Sequence, residues 1–496
     1  LSTQGVAELR FDDFAVDLRG GFARTRRDSP YERTFSYRFD PVAMDFVNDL
    51  RTNGQFARIS FSELEDTIWS GAIDLSYALP TSIPFTLSTG YAYLDNTRSA
   101  TRRDFRYTSQ DVLPFEVAQQ RPDFLLSDFN VFTYNIQLRD VSGAEGAAAY
   151  DADLEIHGGY AQAEGELIDG LRATIGLRYE TADQSVLPLG AGIAATSLSN
   201  SYWLPAVTLT WNMARDMQLR LHGSQTIARP QFRELAPQIY QDFESDREFT
   251  GNPFLVDSEL LNFEGRWEYY FARDQRISVA GFYKRIENPI EAAAFFAGGG
   301  QLRTGFANAP EAELYGVEIE AQAYFPLDGL GGDVFATRRL VLIGNYTYSQ
   351  SSISADGSQT IGPDLQPVAS NLLFEDGAPL AGQSDHLANV QVGIEDTDSL
   401  SQATILLSYA SERVTNRGPI QGLLRQPDFI EQPGLRVDFV LRQEARIFGA
   451  RAEFKFEARN IFGRDYEEFQ EFGANRIDIN SYRVGQSFSA GVTVRF

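Results

Sequence analysis

Apolar and polar residues alternate at every second position over long stretches of the chain. At the C-terminal end Phe488, Ala490, Val492, Val494 and Phe496 are apolar, while Ser487, Ser489, Gly491, Thr493 and Arg495 are polar or small. Ala452, Phe454, Phe456 and Ala458 stand in the same way against Arg451, Glu453, Lys455, Glu457 and Arg459. Leu171 to Tyr179, Ala403 to Tyr409 and Leu435 to Leu441 repeat the pattern. A strand turns successive side chains to opposite faces, so period two means one greasy face and one wet face. Helical spacing fails on these stretches.

Extended along the chain, the pattern predicts about seventeen strands. They cover 4–12, 14–26, 67–79, 83–97, 150–167, 171–184, 201–213, 217–228, 261–273, 275–291, 312–326, 338–352, 385–397, 401–416, 434–447, 450–460 and 482–496. The connections alternate in length. Tight turns fall near Asp12-Asp13, Pro80-Ser82, Asp169-Gly170, Ala214-Asp216, Arg273-Asp274, Asp398-Ser399 and Phe448-Gly449. Between the hairpins lie long polar segments at 27–66, 98–149, 185–200, 229–260, 292–311, 353–384, 417–433 and 461–481. Short turns at one end and long loops at the other predict an all-β, transmembrane antiparallel barrel with periplasmic turns and extracellular loops. Aromatic placement agrees. Tyr93, Tyr179, Tyr283, Tyr348 and Tyr409 fall about one membrane crossing beyond the turns, and Phe11, Trp211, Phe271, Phe325 and Phe448 lie beside them. A soluble sandwich or propeller would have shorter strands.

Composition changes this picture little. No run approaches the ~18 apolar residues of a membrane helix, and alternating strands average out in any hydropathy window. A formal net charge of −25 excludes a phosphate-backbone binder, so no nucleic acid is expected as a partner. Without cysteine there is no disulfide framework or thiolate chemistry. The chain begins on Leu1 rather than Met. Counting back from Phe496 puts Leu1 near an external loop, and an odd number of strands cannot close a simple antiparallel barrel. The expectation is that upstream strands exist outside this chain.

Six stretches in order carry a resemblance. They are "GSQTIARPQFRELAP" (223–237), "GNPFLVDSELLNFEGRWEYYF" (251–271), "SVAGFYKRIENPIE" (278–291), "NAPEAELYGVEIEAQAYF" (308–325), "GQSDHLANVQVGIE" (382–395) and "ARNIFGRDY" (458–466). Together they resemble the TonB-dependent outer-membrane receptors, particularly those of Caulobacter- and Xanthomonas-like bacteria. The resemblance is strong over 200–496 and one of pattern only over 1–200. It implies a barrel of about 22 strands around an N-terminal plug. The chain would then be its C-terminal part, over 1–496, without the plug and the first strands. The implied function is uptake of a scarce nutrient (a siderophore, cobalamin, oligosaccharide or peptide) through the outer membrane of a Gram-negative bacterium. The implied partners are outer-membrane lipid, the TonB-ExbB-ExbD complex acting through the plug, the barrel-assembly machinery and a small nutrient ligand. Phe488, Val492, Val494 and Phe496 resemble the signal that the assembly machinery reads. A passive porin-like channel and an outer-membrane enzyme are the alternatives.

Ligand contacts are expected in the long external loops. In "RPQFRELAPQIYQDFESDREF" (229–249), Arg233 can hold an acid and Tyr240 and Phe243 can stack on a ring. Loop self-packing is the competing reading. Arg451, Glu453, Lys455, Glu457 and Arg459 are expected inside, facing a plug, water, or Glu264, Arg266 and Glu268 on other strands. Asp242, Glu244 and Asp246 lack calcium-loop spacing, and His157, His222 and His386 are isolated, so no metal or cofactor is expected. No enzyme is expected either. There is no GxSxG motif, "GAGI" (190–193) lies in a loop, and Ser224 beside His222 is the nearest nucleophile–base pair.

Overall fold

The computed structural model describes residues 1–51, 57–144, 147–189, 192–242, 247–297 and 302–495. One antiparallel sheet of eighteen strands dominates it. One of the eighteen, Ile136–Asp140, is short and pairs only with Phe85–Ser109. The other seventeen form the wall. In order they are Ser2–Phe11, Phe14–Phe35, Ala57–Leu79, Phe85–Ser109, Ala149–Ile168, Leu171–Leu189, Thr196–Ala214, Met217–Ala228, Ser258–Ala272, Gln275–Glu287, Glu311–Pro326, Arg338–Ser354, His386–Asp396, Ser401–Ala410, Gly434–Ile447, Ala450–Arg459 and Ser487–Arg495. Each pairs with its sequence neighbours, the plainest route for a chain of hairpins.

The register carries one apolar face through the whole sheet. Directly opposed residues share a face. The row Phe11↔Phe14↔Tyr77↔Leu87 opens it. Tyr179↔Trp203, Trp211↔Leu219↔Trp267↔Val279↔Ile319↔Tyr346 and Leu407↔Val437 continue it, and Phe456↔Ala490 and Phe454↔Val492 end it. A slip of one residue anywhere would exchange the faces. The large side chains on this face stay exposed, among them Trp203, Phe263, Leu407's neighbour Ile405, and Phe488. So much apolar surface in one continuous band calls for a lipid solvent.

The other face is polar and concave. Arg58 of strand Ala57–Leu79 reaches Glu248 across it at 2.7 Å. The residue immediately before Glu248, Arg247, pairs with Glu468, in the connection before the last strand. A single loop therefore touches both the early and the late parts of the sheet over the polar face, so the sheet curls around that face. The short turns close tightly at the opposite end. Ile447 opposes Ala450 across Phe448 and Gly449, both at positive φ, the two-residue turn that matches strand twist.

The long connections depart from expectation. Much of 27–66 and 98–109 is strand rather than loop, because Phe14–Phe35, Ala57–Leu79 and Phe85–Ser109 run on past the greasy band. Beyond that band both faces are polar and the alternation disappears. The segments 292–311 and 461–481 hold hairpins, Ile290–Phe296 with Leu302–Asn308 and Tyr466–Phe472 with Asn475–Tyr482. The buried apolar clusters lie here, at the long-loop end. Phe232, Leu235, Ala236 and Leu255 pack on Ala100, Tyr150, Ala152 and Val186 of the wall's inner face. The loops thus form a packed cap.

Candidate functional site

Residues 231–242 and 247–257 form the part of the cap that lies on the inner wall. Gln231 caps a single helical turn, Phe232–Leu235, and Glu234 reaches back to the Gln231 N–H at 2.8 Å. This turns Phe232 and Leu235 into the core and leaves Arg233 outside it. The chain then runs along the wall. Ala147 N–H donates to the Pro237 carbonyl at 2.8 Å and Gly251 N–H to the Ala236 carbonyl at 3.0 Å. Tyr240 stacks on Phe249 with centroids 5.4 Å apart, and Phe249 stacks on Phe306 at 6.2 Å. Burial pushes the Tyr240 hydroxyl well above the ordinary phenol range.

Between this segment and the wall lies a pocket of about 180 Å³. Arg233, Gln238 and Tyr240 line it from the loop, and Arg27, Arg98 and Tyr150 from the strands. Arg98 is bound to Asp66 at 2.5 Å, and Arg27 lies 3.8 Å from Glu32. Arg233 makes no hydrogen bond and no ion pair among the described residues. Its sequence neighbour Glu234 is committed to the helix cap. Gln238 is nine-tenths buried, and its Nε2 has no acceptor among the described residues. The structure thus brings Arg233 and Tyr240 together at one pocket, while Phe243 lies outside the described residues. Sequence reasoning missed Gln238 and Arg98. Nothing local marks Gln238, and Arg98 falls one residue beyond the strand expected over 83–97, on its inner-face parity.

Buried ion pairs tie the cap together. Glu248 accepts from Arg58 at 2.7 Å and from Arg303 at 3.0 Å. Burial raises the Glu248 carboxyl, but the two guanidiniums outweigh it and hold it below the usual carboxylate range. Arg417, with no exposed side-chain surface, binds Glu291 at 2.6 Å and Asp428 at 2.9 Å. Arg247 and Thr415 both bond Glu468.

The remaining candidates sit elsewhere. Arg451, Glu453, Lys455, Glu457 and Arg459 lie on the polar face of Ala450–Arg459. Their partners are local: Arg442 holds Glu453 at 2.6 Å, and Lys455 and Arg459 hold Glu457 at 2.5 and 3.2 Å. The expected option of pairing with Glu264, Arg266 and Glu268 is corrected. Arg266 bonds Glu264 and Glu318, and Arg220 approaches Glu268 at 3.9 Å, because those residues belong to strands far away in sheet order. Phe488, Val492 and Val494 are on the apolar face of the last strand and exposed; Phe496 lies outside the described residues. His222 meets Ser224 at 3.1 Å and Thr208 at 2.9 Å on the inner face, with Glu264 directly opposite it on the next strand. Glu244 and Asp246 lie outside the described residues, and no metal-binding group of three acids or histidines occurs among the described residues.

The family model described as TonB dependent receptor-like, beta-barrel, matches residues 2–429. Among solved structures, the ferric citrate transporter FecA in its unliganded form superposes with a TM-score of 0.61 at 12% identity, over 100% of this chain and 62% of that one. The siderophore receptor PiuA from Acinetobacter baumannii gives 0.61 at 12% identity, over 99% of this chain and 63% of that one. The copper transporter OprC gives 0.59 at 12% identity, over 99% and 64%. The chain therefore spans less than two thirds of the length of each of these proteins. At such identity the likeness is one of fold. No curated protein matches the sequence.

Proposed function

From the premise that the chain belongs to the TonB-dependent receptor β-barrel family, we propose that it forms most of the wall and loop cap of a nutrient receptor in the Gram-negative outer membrane. The nutrient is small and scarce, in the class of siderophores, cobalamin, oligosaccharides or peptides, and TonB drives its passage. The carrying observation is the packed cap. Loops from the early, middle and late strands are locked together over a polar interior, with a lined pocket on its inner side. A passive channel gains nothing from such a cap, whereas a receptor uses it to hold ligand before release inward. In this reading Arg233 and Tyr240 touch the ligand. Phe243, three residues beyond Tyr240 in the sequence, belongs to the same proposal. The polar rows from Arg451 to Arg459 face the plug or water. FecA and PiuA are by name a ferric citrate transporter and a siderophore receptor, which favours an iron chelate for this chain as well.

The test is uptake in cells carrying the full-length protein. Growth on the limiting nutrient should collapse when TonB is deleted or proton-motive force is dissipated. Undiminished uptake under both treatments would point to the passive channel instead.

A further inference from the structure

The pocket under residues 231–241 has a definite chemical polarity, and this deepens the receptor reading on which it rests. Two of its lining groups are donors without an acceptor among the described residues, beside Glu32 and Glu63, which other arginines already hold. Arg233 makes no hydrogen bond or ion pair among the described residues, and of the groups that feel its charge, Glu234 is spent on the helix cap and Tyr240 is a phenol. The other arginines of the lining are already matched, Arg98 by Asp66, Arg102 by Asp104 and Arg27 by Glu32. Gln238 offers a second donor, its buried Nε2. A buried donor without an acceptor costs free energy unless a ligand supplies one. The walls beside these donors are rings and short aliphatics, Tyr150, Tyr240, Ala100 and Ile239. The volume, about 180 Å³, exceeds only slightly the ~150 Å³ cavity that holds benzene.

The site is also built before any ligand arrives. Backbone bonds from Ala147 and Gly251 pin residues 236–237, and the ring ladder through Phe249 fixes Tyr240. Little ordering remains to oppose binding.

We propose that this pocket takes a carboxylate on a single ring, or an arm of that size on a larger ligand, with Arg233 and Gln238 donating to the carboxylate and Tyr240 and Tyr150 flanking the ring. An ammonium would meet Arg233 with like charge.

The experiment uses the full receptor in detergent, titrated with benzoate, benzamide and benzylammonium and followed by saturation-transfer NMR. Benzoate should bind saturably, benzamide about tenfold more weakly or worse, and benzylammonium not at all. Arg233→Gln should weaken benzoate about tenfold and leave benzamide unchanged. Arg233→Lys, which keeps the charge, should retain most of the benzoate affinity and controls for folding. Equal binding of benzoate and benzylammonium, no benzoate binding, or unchanged benzoate affinity in Arg233→Gln would each overturn the proposal. TonB-dependent uptake without benzoate binding would remove the acid pocket and leave the receptor. Benzoate binding with TonB-independent uptake would retain the pocket and remove the energised receptor.

Discussion

Replacing Arg417 by Met should loosen the cap and leave the wall intact. Arg417 has no exposed side-chain surface, and its guanidinium makes two bonds to Glu291, one to Asp428 and one to the Pro379 carbonyl. It thereby joins three connections, since Glu291 opens the 290–308 hairpin and also accepts from the Ala381 N–H. Met fills the stem volume but gives Glu291 nothing. Glu291 is 3% exposed at the side chain, and stranding a buried charge costs about 3–5 kcal/mol. Burial already pushes the Glu291 carboxyl up, so without the cation it would take up a proton and soften part of that loss. The reporters are the reciprocal backbone bonds Ala294 N–H to the Arg417 carbonyl and Arg417 N–H to the Ala292 carbonyl, both 2.9 Å. Hydrogen exchange at these amides should accelerate by about two to three orders of magnitude. Exchange in strand Leu171–Leu189 should not move. Arg417→Met with Glu291→Leu should recover most of the protection, since replacing both charges removes the stranded one. Acceleration below about tenfold in the single variant would refute the lock. So would equal acceleration in the wall strands, or a double variant as loose as the single.

Three further outcomes are expected. A Cβ on Gly251 would lie 2.3 Å from the Ala236 carbonyl oxygen, so Gly251→Ala should cost about 1–3 kcal/mol, read as lost protease resistance of 231–257 with wall melting unchanged. Glu248 sits below its ordinary range when folded, so its contribution is present above the unfolded carboxylate value of about 4.3 and is lost as pH falls through the folded value. Exchange at 302–306, corrected for intrinsic rate, should therefore rise below about pH 4 in the native protein and be already raised at pH 7 in Glu248→Gln. Leu407→Arg puts a cation in the middle of the apolar band and should cost about 2–4 kcal/mol in urea unfolding from bilayers.

The wall was legible because one solvent writes on each face. Wherever lipid meets one side, as along Phe454 and Phe456 against Lys455 and Glu457, the code has period two and can be read. Where the same strands rise into water, as in "RTRRDSPYERTF" (24–35), both faces are polar and strand looks like loop. The cap hairpins were hidden for another reason. The 290–308 hairpin is buried on both faces, with Ala293, Ala307 and Glu291 on one and Ala294 on the other, and Glu291 meets Arg417, 126 residues away in the chain. Paired charges do not announce burial in a sequence. Arg233 and Tyr240 were legible as ligand chemistry in a long loop, but the wall they face depended on which strands the cap folds against.

The alternation of lipid and water along one strand is the claim on which the rest stands. Nitroxide labels placed singly at 452–458 in reconstituted bilayers, read by collisions with oxygen and with a polar nickel chelate, test it directly. Labels at 454 and 456 should favour oxygen, and labels at 455 and 457 should favour the chelate, strictly in turn. Equal chelate access at all four positions would contradict the account.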